Sequence, residues 1–464
     1  MLFNSWIFFL FLPLVFSAYY VLPHNKRWIL LLIASYVFYG WWQWEFTLII
    51  LLSTLIDFVC AQKIDAIETP SIRKRWLLLS LISNLGILFL FKYFYFFVGS
   101  TDWVQGLVHP HQKIRDFVDF FGKALPVGIS FYTFQTMSYT LDVYYKRAKP
   151  ETNLGQFALF VSYFPQLVAG PIERFNHLNE QLKEKHKISY AQLQQGFRLM
   201  LYGFFVKMVI ADNLSYTVTS VFNEPSKWPF YWNWVGVFSF SFQIYADFFG
   251  YSLIAQGVAK LMGVNLMDNF DRPYLSKSIS EFWKRWHISL SSWFRDYVYV
   301  PLGGNRVKRG KWIFNVLLVF LLSGLWHGAN YTFIIWGGLH GLYYLIERFS
   351  PVKIRINWLK GSLTYLSVVF AWIFFRAKDL TESTQVIKSL FGINDGVRQL
   401  DTQPFIFLLV LLFGLLELHR KDLRFDAYCN RYNGVQRWTL YCFMLFCILA
   451  LSGTEYQPFI YFRF

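Results

Sequence analysis

The sequence predicts an all-α polytopic membrane protein, and three observations predict it. Of 464 residues, 55% are hydrophobic and 22% aromatic, too apolar a composition for a soluble chain of two or three domains. Apolar runs recur from end to end with short loops between them. The Lys and Arg behind the formal charge of +16 cluster in those loops and form no basic face interleaved with aromatics. They therefore report membrane topology and exclude a nucleic-acid partner.

A crossing takes about 20 apolar residues over about 30 Å of hydrocarbon. Candidates lie near 5–22, 28–42, 45–62, 76–98, 127–145, 156–170, 194–221, 232–262, 312–326, 331–349, 361–376, 404–418 and 437–454. The runs near 28–42 and 156–170 are short and read as tilted, re-entrant or buried in a bundle. That leaves roughly ten to twelve crossings plus re-entrant and interfacial helices. No basic stretch precedes the first run, which reads as a retained span and not a cleaved signal peptide. Residues 1–464 read as one integral membrane domain, with a core at about 126–349.

Three basic clusters test the topology: Lys26 and Arg27, then Arg73, Lys74 and Arg75, then Lys146, Arg147 and Lys149. All three fall on one side of a membrane if the N-terminus lies outside. That places Gly99–Leu125, with amphipathic spacing of Ile114, Phe117, Val118 and Phe121, on the outer face, and the 306–311 loop on the cytoplasmic side.

The fifth run carries Ser130, Tyr132, Thr133, Gln135, Ser138, Tyr139 and Asp142. Such residues either line a polar tunnel or hydrogen-bond between helices. The stretch Phe164–Arg174 has two prolines and a glycine, so it reads as a broken helix, with Glu173 and Arg174 a candidate pair. Asp247 sits in an apolar run with Tyr251 one turn on, and a carboxylate there needs a partner.

The richest stretch is 278–341, which holds three of the nine histidines. Ser278 and Glu281 have capping-box spacing, and Pro273 closes what precedes them. Ile279, Phe282, Trp283, Trp286, Leu290, Trp293, Phe294 and Tyr297 then form one stripe at helical spacing, which predicts a continuous interfacial helix with His287 on its apolar side. Pro301, Gly303, Gly304 and Asn305 end it, and a basic loop follows. The next run ends at Ser323-Gly-Leu-Trp-His327-Gly-Ala-Asn330. On a continuous helix Ser323, His327, Asn330 and Tyr331 would share a face. A lone buried histidine most often holds two helices together. A second histidine on an apolar face, small neighbours and a nearby cationic loop favour a functional role instead.

Four cysteines without a CxxC pair support neither a disulfide framework nor a zinc site. The carboxyl-terminal third offers Arg376 at a helix end, a polar stretch from 378 to 403 and a basic loop from 420 to 437. No P-loop, GxSxG, HExxH or dinucleotide fingerprint stands in a supporting context.

The stretches SISEFWKRWHISLSSWFRDYVYVPLGGN, SGLWHGANYTFIIWGGLHG, PVGISFYTFQTMSYTLDVYY, FPQLVAGPIERF, YADFFGYS and the closing FIYFRF resemble, nearly end to end, the membrane-bound O-acyltransferases. Within that family they resemble the bacterial branch that O-acetylates alginate and peptidoglycan. The resemblance implies a helical bundle around a central tunnel, where a cytoplasmic acyl donor meets an acceptor from the opposite side. It implies an essential histidine in the WHG motif, here His327, and a second important one in RWHIS, here His287. One departure is Leu253, where alginate-type members carry an acidic residue.

On that reading His327 is the general base and His287 a polarising or positioning group, with an acyl-histidine at His327 the less favoured variant. Substrate-tunnel candidates are Ser323, Trp326, Asn330, Tyr331, Asp247 and Asp296. Donor-phosphate candidates are Arg285, Arg306, Lys308 and Arg309, whose loop reads equally as topogenic. The expected donor is acetyl-CoA, with no permanently bound cofactor and no metal. The expected setting is a bacterial inner membrane, with membrane lipid around the chain and a periplasmic O-acetyltransferase or esterase-like partner. A transporter or flippase of a lipid-linked glycan is the rival from another class, although no inverted repeat is visible. A purely structural membrane subunit is a third reading.

Overall fold

Backbone in hydrocarbon must satisfy its own N–H and C=O groups, and every apolar run named above is helical or broken-helical, with no strand among the described residues. The computed structural model describes residues 1–99, 126–168, 170–351, 354–393, 396–397, 404–420, 423–453, 457 and 459–463. The amphipathic spacing expected at Ile114, Phe117, Val118 and Phe121 lies outside them.

Helices Phe46–Ala66, Pro70–Tyr93, Arg309–His327, Asn357–Arg376 and Gly434–Leu451 are long and apolar enough to cross a membrane, and Trp6–Val21 and Ile406–His419 are shorter apolar helices. Their outward faces are greasy: Leu14 is 72% and Leu449 75% exposed, as expected where the surrounding medium is lipid. The run near 156–170 is broken into Leu154–Ser162 and Phe164–Leu167, with Pro165 at the start of the second piece.

The chain forms two compact units, 1–197 with 255–267, and 198–254 with 268–464. In the first, Ile129–Tyr144 is buried along nearly its whole length against Phe46–Ala66 and Pro70–Leu88. Several of its polar residues hydrogen-bond to neighbouring helices. Asp57, fully buried, accepts from Ser80 at 2.5 Å, from the Asn84 amide at 2.8 and 2.9 Å, and from Thr140 at 3.4 Å. Thr136 reaches Asn84 at 3.2 Å, and Gln135 donates to the Phe160 carbonyl at 2.7 Å. Several directed donors offset the cost of burying that carboxyl.

One end of this unit gathers two of the basic clusters. Arg73 donates to the carbonyls of Ile64 and Tyr144, which joins three helix ends. Arg73, Lys146, Arg147 and Lys149 line a single cleft there with Lys183. Glu173 binds His177 at 2.6 Å and accepts from the Met267 amide at 2.6 Å.

In the second unit Arg309–His327 and Tyr331–Phe349 pack as an antiparallel pair, with Asn357–Arg376 beside the latter. The pair approaches through two glycines. A Cβ on Gly324 would lie 2.2 Å from the Phe333 carbonyl oxygen, and one on Gly337 2.3 Å from that of Phe320. Elsewhere in the unit Glu417 and Arg420 form a two-bond pair at 2.7 and 3.0 Å, and Tyr202 and Tyr245 donate to the same carboxylate. That geometry gives a buried charge pair the extra hydrogen bonds it needs.

Candidate active site

The expected continuous helix through His287 is two helices. Ser278 caps the first, its hydroxyl accepting from the Glu281 amide at 3.0 Å, while Glu281 reaches back to the Lys277 amide at 2.8 Å. Helix Ile279–Arg285 then stops at an extended Trp286. His287 adopts φ 43° and ψ 55° before Ile288–Phe294 begins. A non-glycine residue in the left-handed region is uncommon and marks a constrained position. Periodicity missed the break because the apolar stripe runs through it.

The corner is braced from the 269–271 loop. The Ile288 amide donates to the Asn269 carbonyl at 2.9 Å and the Asp271 amide to the Arg285 carbonyl at 3.0 Å. The Asn269 side chain accepts from Ser289 at 2.6 Å and donates to Ser252 at 3.3 Å. Asn269 thus ties the corner to helix Phe230–Leu261, a role with no signal in the sequence beyond its amide chemistry.

The second expected continuous face also ends early. Helix Arg309–His327 terminates at the histidine, Gly328 is extended, and Asn330 caps Tyr331–Phe349 by accepting from the Thr332 amide. His327 therefore sits at a helix end beside the glycine contact that locks the pair.

These two breaks bring the imidazoles together. The ring centres of His287 and His327 are 6.2 Å apart, and the residues are 0% and 3% exposed. Around His327 stand Trp326 at 4.9 Å, Trp336 at 5.0 Å, Phe375 at 5.3 Å and Tyr461 at 5.6 Å. Around His287 stand Phe248 at 4.7 Å, Trp326 at 5.9 Å and Tyr461 at 6.3 Å. Such an enclosure keeps both rings out of contact with solvent, and an aromatic face turned to an imidazolium would stabilise it. Tyr461 comes from the closing FIYFRF stretch, which the sequence marks but does not place.

Of the tunnel candidates, Trp326 belongs to this enclosure, and Ser323 is buried one turn before His327. Asn330 is a cap whose amide also donates to the Lys378 carbonyl at 2.6 Å, and Tyr331 is 52% exposed. Asp296 pairs with Arg295 at 2.8 Å. Asp247 finds its partner in Lys207 at 2.6 Å and accepts from the Ile460 amide at 2.6 Å. Among donor-phosphate candidates, Arg285 pairs with Glu281 at 2.8 Å, while Arg306 and Lys308 are exposed and Arg309 lies over the Phe349 ring at 4.2 Å. Arg309 and His327 stand at opposite ends of one helix, about 27 Å apart at 1.5 Å per residue. That loop can touch only the far end of a long donor.

The third histidine of the stretch, His340, is fully buried and accepts from the Trp283 indole at 3.3 Å, so packing accounts for it. Among the described residues, no group of three or more His, Cys, Asp and Glu is placed to hold a metal ion.

Comparison with known proteins places the chain in a family. Residues 38–380 match the model of the MBOAT, membrane-bound O-acyltransferase family. The chain is 36% identical to the probable alginate O-acetylase AlgI of Pseudomonas putida, over the full length of both. It is 34% identical to the peptidoglycan O-acetyltransferase of Helicobacter pylori, over 85% of this chain and 80% of that one. It is 30% identical to the teichoic acid D-alanyltransferase of Bacillus subtilis, over 57% of this chain and 69% of that one. A multi-pass membrane chain with both motif histidines in one aromatic enclosure, matched by the family over 38–380, is an acyltransferase and belongs to the membrane-bound O-acyltransferase family.

Proposed function

We propose that the protein moves an acetyl group from cytoplasmic acetyl-CoA across the membrane for O-acetylation of a cell-surface polysaccharide of the alginate or peptidoglycan type, with a periplasmic partner completing delivery. The observation that carries this reading is the enclosed pair His287 and His327, 6.2 Å apart. Two relatives matched over most of the chain are named for O-acetylation of such polymers, which supports the choice of group and acceptor.

In the proposed step His327 accepts the proton of an attacking hydroxyl, which adds to the thioester carbonyl. A C–O bond forms, the tetrahedral intermediate collapses, the C–S bond breaks, and the proton passes from His327 to the departing thiolate. His287 polarises or positions the carbonyl. Enclosure protects the thioester from hydrolysis. Arg306, Lys308 and Arg309 hold donor phosphates at a distance from the reaction, as cations suited to that contact.

The test is purified protein with acetyl-CoA radiolabelled in the acetyl group. Transfer of label to a hydroxyl acceptor supports the reading. Movement of an intact lipid-linked glycan without acetyl loss would make the protein a carrier, and neither activity would leave a structural subunit.

A further inference from the structure

We infer that Lys207, Asp247 and the backbone amide of Ile460 form a latch that seats Phe459, Ile460 and Tyr461 against the two histidines. The inference rests on the acyl-transfer reading for its catalytic consequence, and on geometry alone for the latch.

Lys207 lies in a π-helical turn, Phe205–Ala211, inside the long helical stretch that begins at Tyr190. Such turns insert a residue and re-aim its neighbours, and they recur at functional sites. Here the Lys207 ammonium reaches Asp247 at 2.6 Å and Asp212 at 2.6 Å. Lys207 and Asp247 are only 2% and 3% exposed. Burying such a pair is costly, and an apolar pair of equal volume often serves stability as well. What an apolar pair lacks is direction.

The directed bonds go to the tail. The second Asp247 oxygen accepts from the Ile460 amide at 2.6 Å, Lys207 donates to the Gln457 carbonyl at 3.4 Å, and the Ser215 hydroxyl meets the Gln457 side chain at 3.4 Å. Beside these bonds Phe459 packs on Tyr251 at 4.8 Å and Phe248 at 5.6 Å. One residue past the latch, Tyr461 packs on Phe248 at 4.6 Å and stands 5.6 Å from His327 and 6.3 Å from His287. Aromatic packing alone tolerates sliding, whereas a charge-assisted hydrogen bond to one backbone amide sets the register of the segment. Lys207 and Asp247 are positioning residues on this account and touch neither histidine through the latch itself.

The decisive variant is Ile460→Pro, which deletes the amide hydrogen and leaves the buried charges intact. Ile460 opens a 3-10 turn, whose usual φ of about −50 to −70° is one proline adopts. Asp247→Ala removes the acceptor, and Asp247→Asn keeps an acceptor oxygen. Each full-length protein is treated with carboxypeptidase and weighed intact, and kcat and KM for acetyl-CoA are measured in parallel. Wild type and Asp247→Asn should resist trimming past Tyr461. Ile460→Pro and Asp247→Ala should be trimmed. Their kcat should fall by about 10²-fold, the scale of a small misplacement near a reacting centre, with KM for the donor unchanged. Resistance to trimming in both variants would overturn the latch. Trimming with normal kcat would overturn its catalytic consequence. If wild type shows no acetyl transfer, the acyl-transfer reading fails while the trimming pattern still decides the latch.

Discussion

His287 and His327 lie 6.2 Å apart, ring centre to ring centre, and each reaches that point from a place where a helix stops. His287 occupies a left-handed corner between two short helices, and His327 is the last residue of a long one. A helix interior fixes a side chain to one face, whereas a helix end lets the backbone aim it. Both rings are aimed into one enclosure.

His287→Gly and His287→Ala both remove the ring and should lower acetyl transfer by roughly 10²-fold or more, the scale for losing a positioning or acid–base group. They should differ in stability. The left-handed conformation costs a residue with a Cβ about 1–2 kcal/mol and glycine little, so the glycine variant should melt above the alanine variant. Wild-type turnover in either would reduce His287 to a packing residue.

Gly324→Ala and Gly337→Ala test how the helix pair holds His327. Each added methyl would meet a backbone carbonyl at 2.2 or 2.3 Å, where no side chain can yield. Overpacking of this kind costs about 1–3 kcal/mol. Both variants should melt lower and lose turnover together. Unchanged melting would show that the pair separates freely.

Much of the fold is legible because a lipid solvent imposes one rule, and apolar runs answer it with helices. The histidine motifs are legible as motifs. The break at His287 is not, because Phe282, Trp286 and Leu290 continue the stripe and the contacts that bend the chain come from Asn269, some 18 residues upstream by sequence position. The partner of Asp247 is equally hidden: Lys207 and Ile460 are distant in sequence. Asn330 and Tyr331 look like neighbours of His327 only while the helix is imagined to continue past it.

Topology can be read by cysteine labelling in a Cys442→Ser background, since Cys442 is exposed. Lys26→Cys, Lys74→Cys and Lys149→Cys mark exposed residues of the basic clusters, and Gln43→Cys marks the exposed turn after helix His24–Gly40. The first three should label from the cytoplasm and the last from outside, following the positive-inside bias. External labelling at position 74 would reverse the orientation.

The His177–Glu173 contact at 2.6 Å should give stability a pH dependence. The hydrogen bond to Glu173 raises the His177 pKa against a smaller opposing effect of burial, and burial raises that of Glu173 against its hydrogen bonds. The native state therefore binds more protons than the unfolded chain. The His177 contribution is fully present below about pH 6.5, the ordinary histidine value, and is lost as pH rises through the raised one. The melting temperature should drift down across that window, modestly because the His177 side chain is 44% exposed. His177→Gln should flatten the drift, and an upward drift would contradict the assignment.

His327 decides the mechanism. If it is the base, His327→Ala and His327→Gln should both abolish O-acetylation, because glutamine keeps a hydrogen bond but cannot accept a proton at neutral pH. Donor affinity should survive in both. The cationic loop that would hold the donor's phosphates begins about 27 Å away along the same helix, beyond reach of a change at the ring. A packing role predicts the reverse, because His327 is 3% exposed and lies among Trp326, Trp336, Phe375 and Tyr461. Alanine would then open a cavity and lower melting and activity together, while glutamine, closer in volume, would restore both. Acetyl-CoA affinity, melting temperature and label transfer on the same two variants separate these outcomes, and near-normal transfer by His327→Gln would remove the general base from the mechanism.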